Sequence, residues 1–106
     1  MRLIIVAAAL ALTGQASGAR PARCETSDDG RYACDFRPTD RNGSFRITAS
    51  GKPTYTIDVD GRGLAQASSV FSPGTRNVPL PGPYRSTRSE PGCWVSDATG
   101  TKICAR

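Results

Sequence analysis

Four cysteines offer this chain most of its potential chemistry: Cys24, Cys34, Cys93 and Cys104. A thiol can ligate zinc, attack a carbonyl or pair with a second thiol, and spacing separates these options. Zinc sites are built from closely spaced cysteine pairs or from histidines. Here nine, fifty-eight and ten residues separate successive cysteines, and the chain has no His. No metal is expected. Without His, the Ser-His-Asp and Cys-His arrangements are out of reach, as is the commonest general base at neutral pH. An even number of cysteines in a short chain reads instead as a disulfide framework.

Carboxylates are the other candidates, since a pair of them can hydrolyse a glycoside. Asp28, Asp29, Asp60 and Asp97 fall in turn sequences, where two are not expected to converge. "DVDGRG", Asp58 to Gly63, begins like a calcium loop but carries Arg62 and then Ser69 where that loop needs further acidic ligands. It reads as a strand end entering a turn. No catalytic residue and no cofactor are assigned, and the protein is read as not an enzyme.

The disulfide pairing follows from the hairpins that hold the cysteines. In "GCWVSDATGTKICAR", a four-residue loop Asp97–Gly100 sets Ser96 against Thr101, Trp94 against Ile103 and Cys93 against Cys104. In "CETSDDGRYAC", a three-residue loop Asp28-Asp29-Gly30, with Gly30 left-handed, sets Thr26 against Tyr32 and Cys24 against Cys34. Opposed side chains in an antiparallel pair come within bridging range. The pairing 24–34 and 93–104 is therefore favoured over the crossed ones.

The address agrees with this chemistry. Arg2, an apolar run from Leu3 to Leu12 and the small residues Ser17-Gly18-Ala19 follow the order of a cleaved signal peptide. Ten apolar residues fall short of the ~20 needed to span a bilayer. Residues 1–19 are thus expected to be removed, leaving 20–106 as one small domain without a membrane span. The protein is expected to be exported, to the periplasm or the extracellular space. Its larger apolar side chains are few, and a small exported domain compensates with covalent cross-links.

The elements read as strands. Phe45, Ile47 and Ala49 alternate with polar residues, as do Tyr55, Ile57 and Val59, and Asn42-Gly43, Ser50-Gly51 and Asp60-Gly61 supply turns. "GLAQASSVF" is left as irregular or strand. Five prolines between Ser72 and Gly92 argue for a long surface loop or edge, with "PYRSTR" as a short strand. The fold expected is all-β: a small disulfide-stabilised sandwich or partly open barrel of about six to eight short antiparallel strands.

Fourteen Lys and Arg against nine Asp and Glu make the chain basic, and Arg dominates. Arginine suits bidentate recognition of phosphate or carboxylate, although the arginines are scattered along the sequence. No basic run interleaves with aromatics, which argues against nucleic acid. Tyr84, Arg85, Arg88 and Trp94 cluster on the Pro-rich connection, and Tyr, Trp and Arg dominate protein interfaces. They are the candidate partner-binding residues, with Trp94 also read as core. "YAC", Tyr32 to Cys34, together with Cys104 near the end is similar to secreted inhibitors of lysozyme. No inhibitory motif maps onto this chain, so that resemblance places no site. The reading is an exported, non-catalytic binding or envelope-associated protein whose partner is a protein or an anionic envelope component. The alternative is a secreted inhibitor of a hydrolase such as lysozyme or a protease, with an exposed loop within 73–91.

Overall fold

The computed structural model describes residues 18–106, so the expected export segment 1–19 lies outside the described residues except for Gly18 and Ala19. Nine strands follow in chain order: β1 Arg20–Thr26, β2 Gly30–Pro38, β3 Phe45–Thr48, β4 Thr54–Val59, β5 Leu64–Val70, β6 Val78–Pro79, β7 Tyr84–Ser86, β8 Cys93–Ser96 and β9 Lys102–Ala105. The alternation that marks β3 and β4 in sequence is the alternation of burial. Phe45, Ile47, Tyr55 and Ile57 point inward while Arg46, Thr48 and Asp58 face out.

β1 to β5 form a meander, β7 to β9 a second one, and two pairings join them: β5 with β7 and β9 with β1. β4 and β5 pair along their whole length. The sheet therefore closes on itself as an eight-stranded antiparallel barrel. This corrects the expected sandwich or partly open barrel. Closure pairs the edges that an open sheet of such short strands would leave bare, except the outer side of β6. At eight strands the interior is just wide enough for side chains to fill. Ile47, Ile57, Ala65 and Ile103 are fully buried there, with Tyr84 and Tyr55 beside them.

"GLAQASSVF" resolves as a strand, β5. The Pro-rich segment holds the expected short strand, β7 within "PYRSTR", and adds an unexpected one, β6. β6 pairs with Ser68 and Ser69, and β7 with Leu64 and Ala65, along the β5 edge that β4 leaves free. β6 and β7 are thus two pieces of the eighth stave, separated by a bulge at Leu80–Pro83. Proline supplies no N–H, so here the donor comes from the residue between two prolines, and the prolines contribute carbonyls. Leu80 N donates to Ala67 O at 2.9 Å, while the Pro83 carbonyl accepts from Asp97 N at 2.8 Å. The Pro81 carbonyl accepts from Ser96 Oγ at 2.7 Å, and Ser96 Oγ in turn accepts from Ala98 N and Thr99 N. One buried serine so ties the stave to the β8–β9 turn.

Disulfides join Cys24 to Cys34 and Cys93 to Cys104. The β8–β9 register sets Cys93 against Cys104, Trp94 against Ile103 and Val95 against Lys102, as the four-residue loop predicts. The first hairpin differs from expectation. Gly30, at φ 71°, pairs with Thr26 and opens β2, so Cys24 faces Tyr32 and Cys34 faces Ala22. The bridge is diagonal across the ladder, with Cα atoms 5.9 Å apart. The register moves by two residues because Asp29 turns inward from the loop. Its backbone N–H donates to Thr26 Oγ1 at 2.9 Å, and its carboxylate accepts from the same hydroxyl at 3.0 Å.

Candidate functional site

The four residues clustered in the sequence are not clustered in space as a contact surface. Tyr84 faces the barrel interior and is 1% exposed. Trp94 is half-buried, opposite Ile103 and Ser86 and packed against the core. Arg85 faces out but is held by Asp97, its Nη2 2.9 Å from Oδ2, and that carboxylate is lowered below its ordinary range by the arginine. Arg88 is exposed on the 87–92 connection at the opposite end of the barrel from Asp97. Alternation along β7 sends Tyr84 in and Arg85 out, so the two cannot share a contact.

Sequence reasoning expected an exposed loop within 73–91 but missed Phe71, which opens the loop 71–77. Phe71 is 49% exposed, the one large apolar side chain at the described surface that is open to solvent. The turn beneath it is fastened: Thr75 N donates to Ser72 O at 3.1 Å and Thr75 Oγ1 donates to the same carbonyl at 2.6 Å. Ser72 N donates back to Thr75 Oγ1 at 3.4 Å. Arg76, on the same loop, has no acidic partner among the described residues. "SPGT" was a legible turn signal, and Phe71 beside it breaks the alternation of β5. An aromatic set on a stiff loop next to an unpaired guanidinium has the chemistry of an interface anchor.

The same end of the barrel is closed from inside by polar contacts. Tyr55 Oη donates to Asp29 Oδ2 at 3.1 Å, beside the Thr26 hydroxyl on the same carboxylate oxygen. Burial, then the Asp29 carboxylate, pushes the Tyr55 phenol well above its ordinary pKa of 10.0. Burial also raises Tyr32 and Tyr84, with Asp29 and Asp28 respectively adding to it. A phenol raised on folding contributes stability that is complete below its unfolded value of about 10 and is lost as pH climbs through the folded one. Stability is therefore expected to hold up to about pH 10 and to fall above it. Tyrosinate absorbance should rise together with loss of β-sheet circular dichroism. Ionisation of all three tyrosines in a still-folded protein would contradict this.

Besides a shallow cleft of about 320 Å³ over Pro21, Asp35 and Thr48, two further clefts lie on the outer face. One of about 330 Å³ runs over β1, β2 and β9, between Arg23, Arg31 and Arg106, with Ala33 and Cys104 also lining it. The other, about 570 Å³, crosses β3 to β5 and is lined by Arg46, Thr54, Thr56, Asp58 and Ser68. Neither brings carboxylates together as a catalytic pair. Among the described residues no group of three or more His, Cys, Asp or Glu could hold a metal ion, and no cysteine is free. No helix among them is long and apolar enough to cross a membrane.

These features define a class: a small, disulfide-braced, closed β-barrel whose inside is filled and whose chemistry is confined to loops and outer face. The two disulfides are consistent with an oxidising, exported location. No protein-family model, no curated protein and no solved structure matches the chain.

Proposed function

We propose that this is an exported, non-catalytic binding protein that docks a protein partner through the Phe71–Asn77 loop. The observation that carries the reading is Phe71, half-exposed on a turn fastened at Ser72 and Thr75. Leaving such a ring in water is unfavourable, and its burial by a partner would recover roughly 1–2 kcal/mol. A stiff loop loses little entropy on binding. The chemistry of the chain supports a binding role over catalysis: His is missing from the sequence and the four cysteines are bonded.

Phe71→Ala and Arg76→Ala are each expected to weaken partner binding about tenfold or more, as interface anchors do, while leaving the melting temperature within a few degrees. Pull-down of the tagged protein from native envelope extract, followed by titration of the captured partner, reads this out. Undiminished binding by the double variant would remove the loop from the interface. A second reading, inhibition of a secreted hydrolase such as lysozyme or a protease, draws on the same loop, because a fastened, protruding turn is the shape that enters an active-site cleft. It predicts that the purified protein inhibits such an enzyme and that the Phe71→Ala variant does so less.

A further inference from the structure

The arginines that are scattered in sequence meet on one side of the barrel. Arg23 and Arg106 lie opposite each other, each donating its N–H to the other's carbonyl at 2.8 Å. Arg31 faces outward opposite Glu25, and Arg37 and Arg46 are direct cross-strand neighbours on β2 and β3. The outer face of β9, β1, β2 and β3 therefore carries five guanidinium groups, with Glu25 and Asp35 as its acids. Glu25 is already engaged, 3.7 Å from Arg31 and 3.9 Å from Lys102. Arg23, Arg37, Arg46 and Arg106 have no acidic partner among the described residues.

The Arg37–Arg46 pair is the sharpest observation. Like charges directly opposed across a ladder destabilise it, and neither residue is needed for the core, since both are exposed. Arg46 Nε donates only to Thr56 Oγ1, at 3.3 Å. The Arg37 guanidinium lies beside Gly18, and neither arginine has an acidic partner among the described residues. An oxyanion lying across the pair would relieve the repulsion and match the guanidinium geometry. The outward positions of these four strands include no aromatic residue. A protein partner or an unpaired nucleic acid would call for aromatic anchors. Spread charge on a convex face without them suits an extended array of phosphates.

We infer that this face docks on an anionic phospholipid surface, through phosphate contacts centred on Arg37 and Arg46. The surface is separate from the Phe71 loop, so partner binding and lipid binding stand or fall independently. The test is sedimentation of the exported, disulfide-intact protein with vesicles of phosphatidylglycerol and phosphatidylcholine, against vesicles of phosphatidylcholine alone. Association is expected with the anionic vesicles at low salt and should be released as the Debye length falls to about 10 Å near 0.1 M salt and below. Each arginine removed should weaken it about fivefold, so Arg37→Gln with Arg46→Gln should cost about 25-fold at an unchanged melting temperature. No association at low salt, equal association with the neutral vesicles, or undiminished association of the double variant would each overturn the inference. Capture by an acidic polymer but not by anionic vesicles would overturn it too.

Discussion

Replacing Cys93 and Cys104 together with Ser is expected to lower the unfolding free energy by about 2–5 kcal/mol, the usual loss for a small exported domain. The bridge joins β8 to β9 next to the seam where β9 closes on β1. Both sulfurs face outward on the barrel, yet both cysteines are 1% exposed, because the connection 87–92 folds over them. The cover is fixed by Cys93 N donating to Glu90 O at 3.1 Å and Ala105 N donating to Gly92 O at 3.0 Å. The loop closed by the bridge is short, so chain entropy accounts for somewhat under 3 kcal/mol. Two buried serine hydroxyls in place of sulfur add a desolvation cost. Urea titration of the double variant measures the sum. A loss below about 1 kcal/mol would show that the strand pairing alone holds the seam.

Gly92→Ala is the second large effect. Gly92 has φ 82°, a conformation that costs an L residue about 1–3 kcal/mol. A Cβ at this position would also collide with the carbonyl oxygen of Ala105, which is backbone and cannot swing aside. Relief requires the 87–92 cover to lift from the disulfide, breaking the Gly92–Ala105 hydrogen bond. The expected loss is about 2–4 kcal/mol, combining conformational strain with overpacking. Gly61→Ala is the control: its φ is 90°, but nothing lies within 4 Å of an added Cβ, so it should lose only the conformational part. Equal losses for the two glycines would show that the Ala105 contact is not what constrains position 92.

Much of the local structure was legible in the sequence. β3 and β4 follow from period-two alternation, and the β8–β9 register follows from counting outward from Asp97–Gly100. The first hairpin was harder because two three-residue loops fit "CETSDDGRYAC". The choice rests on Asp29 finding Thr26 and Tyr55, and Tyr55 is 26 residues away. In the Pro-rich segment the short strand of "PYRSTR" was legible as β7, but β6 was not, for a related reason. Proline weakens a strand by withholding its N–H, but the carbonyls of Pro81 and Pro83 are used as acceptors and Leu80 beside them supplies a donor. No local rule reveals which donors a distant partner will require.

What the sequence by itself determined is most of the strands, the face each residue shares with its neighbours and the two pairs of cysteines within bridging reach. Alternation and turn chemistry act over a few residues, so they are written locally. The tertiary structure alone decided closure, through β9 on β1 and β7 on β5, pairings between segments whose order of contact depends on the whole sheet curling. Closure then assigned each face to inside or outside. It placed Tyr84 in the core, left Phe71 in water and brought Arg37 beside Arg46. Period-two patterning says which side chains travel together along a strand; only the closed barrel says what lies across from them.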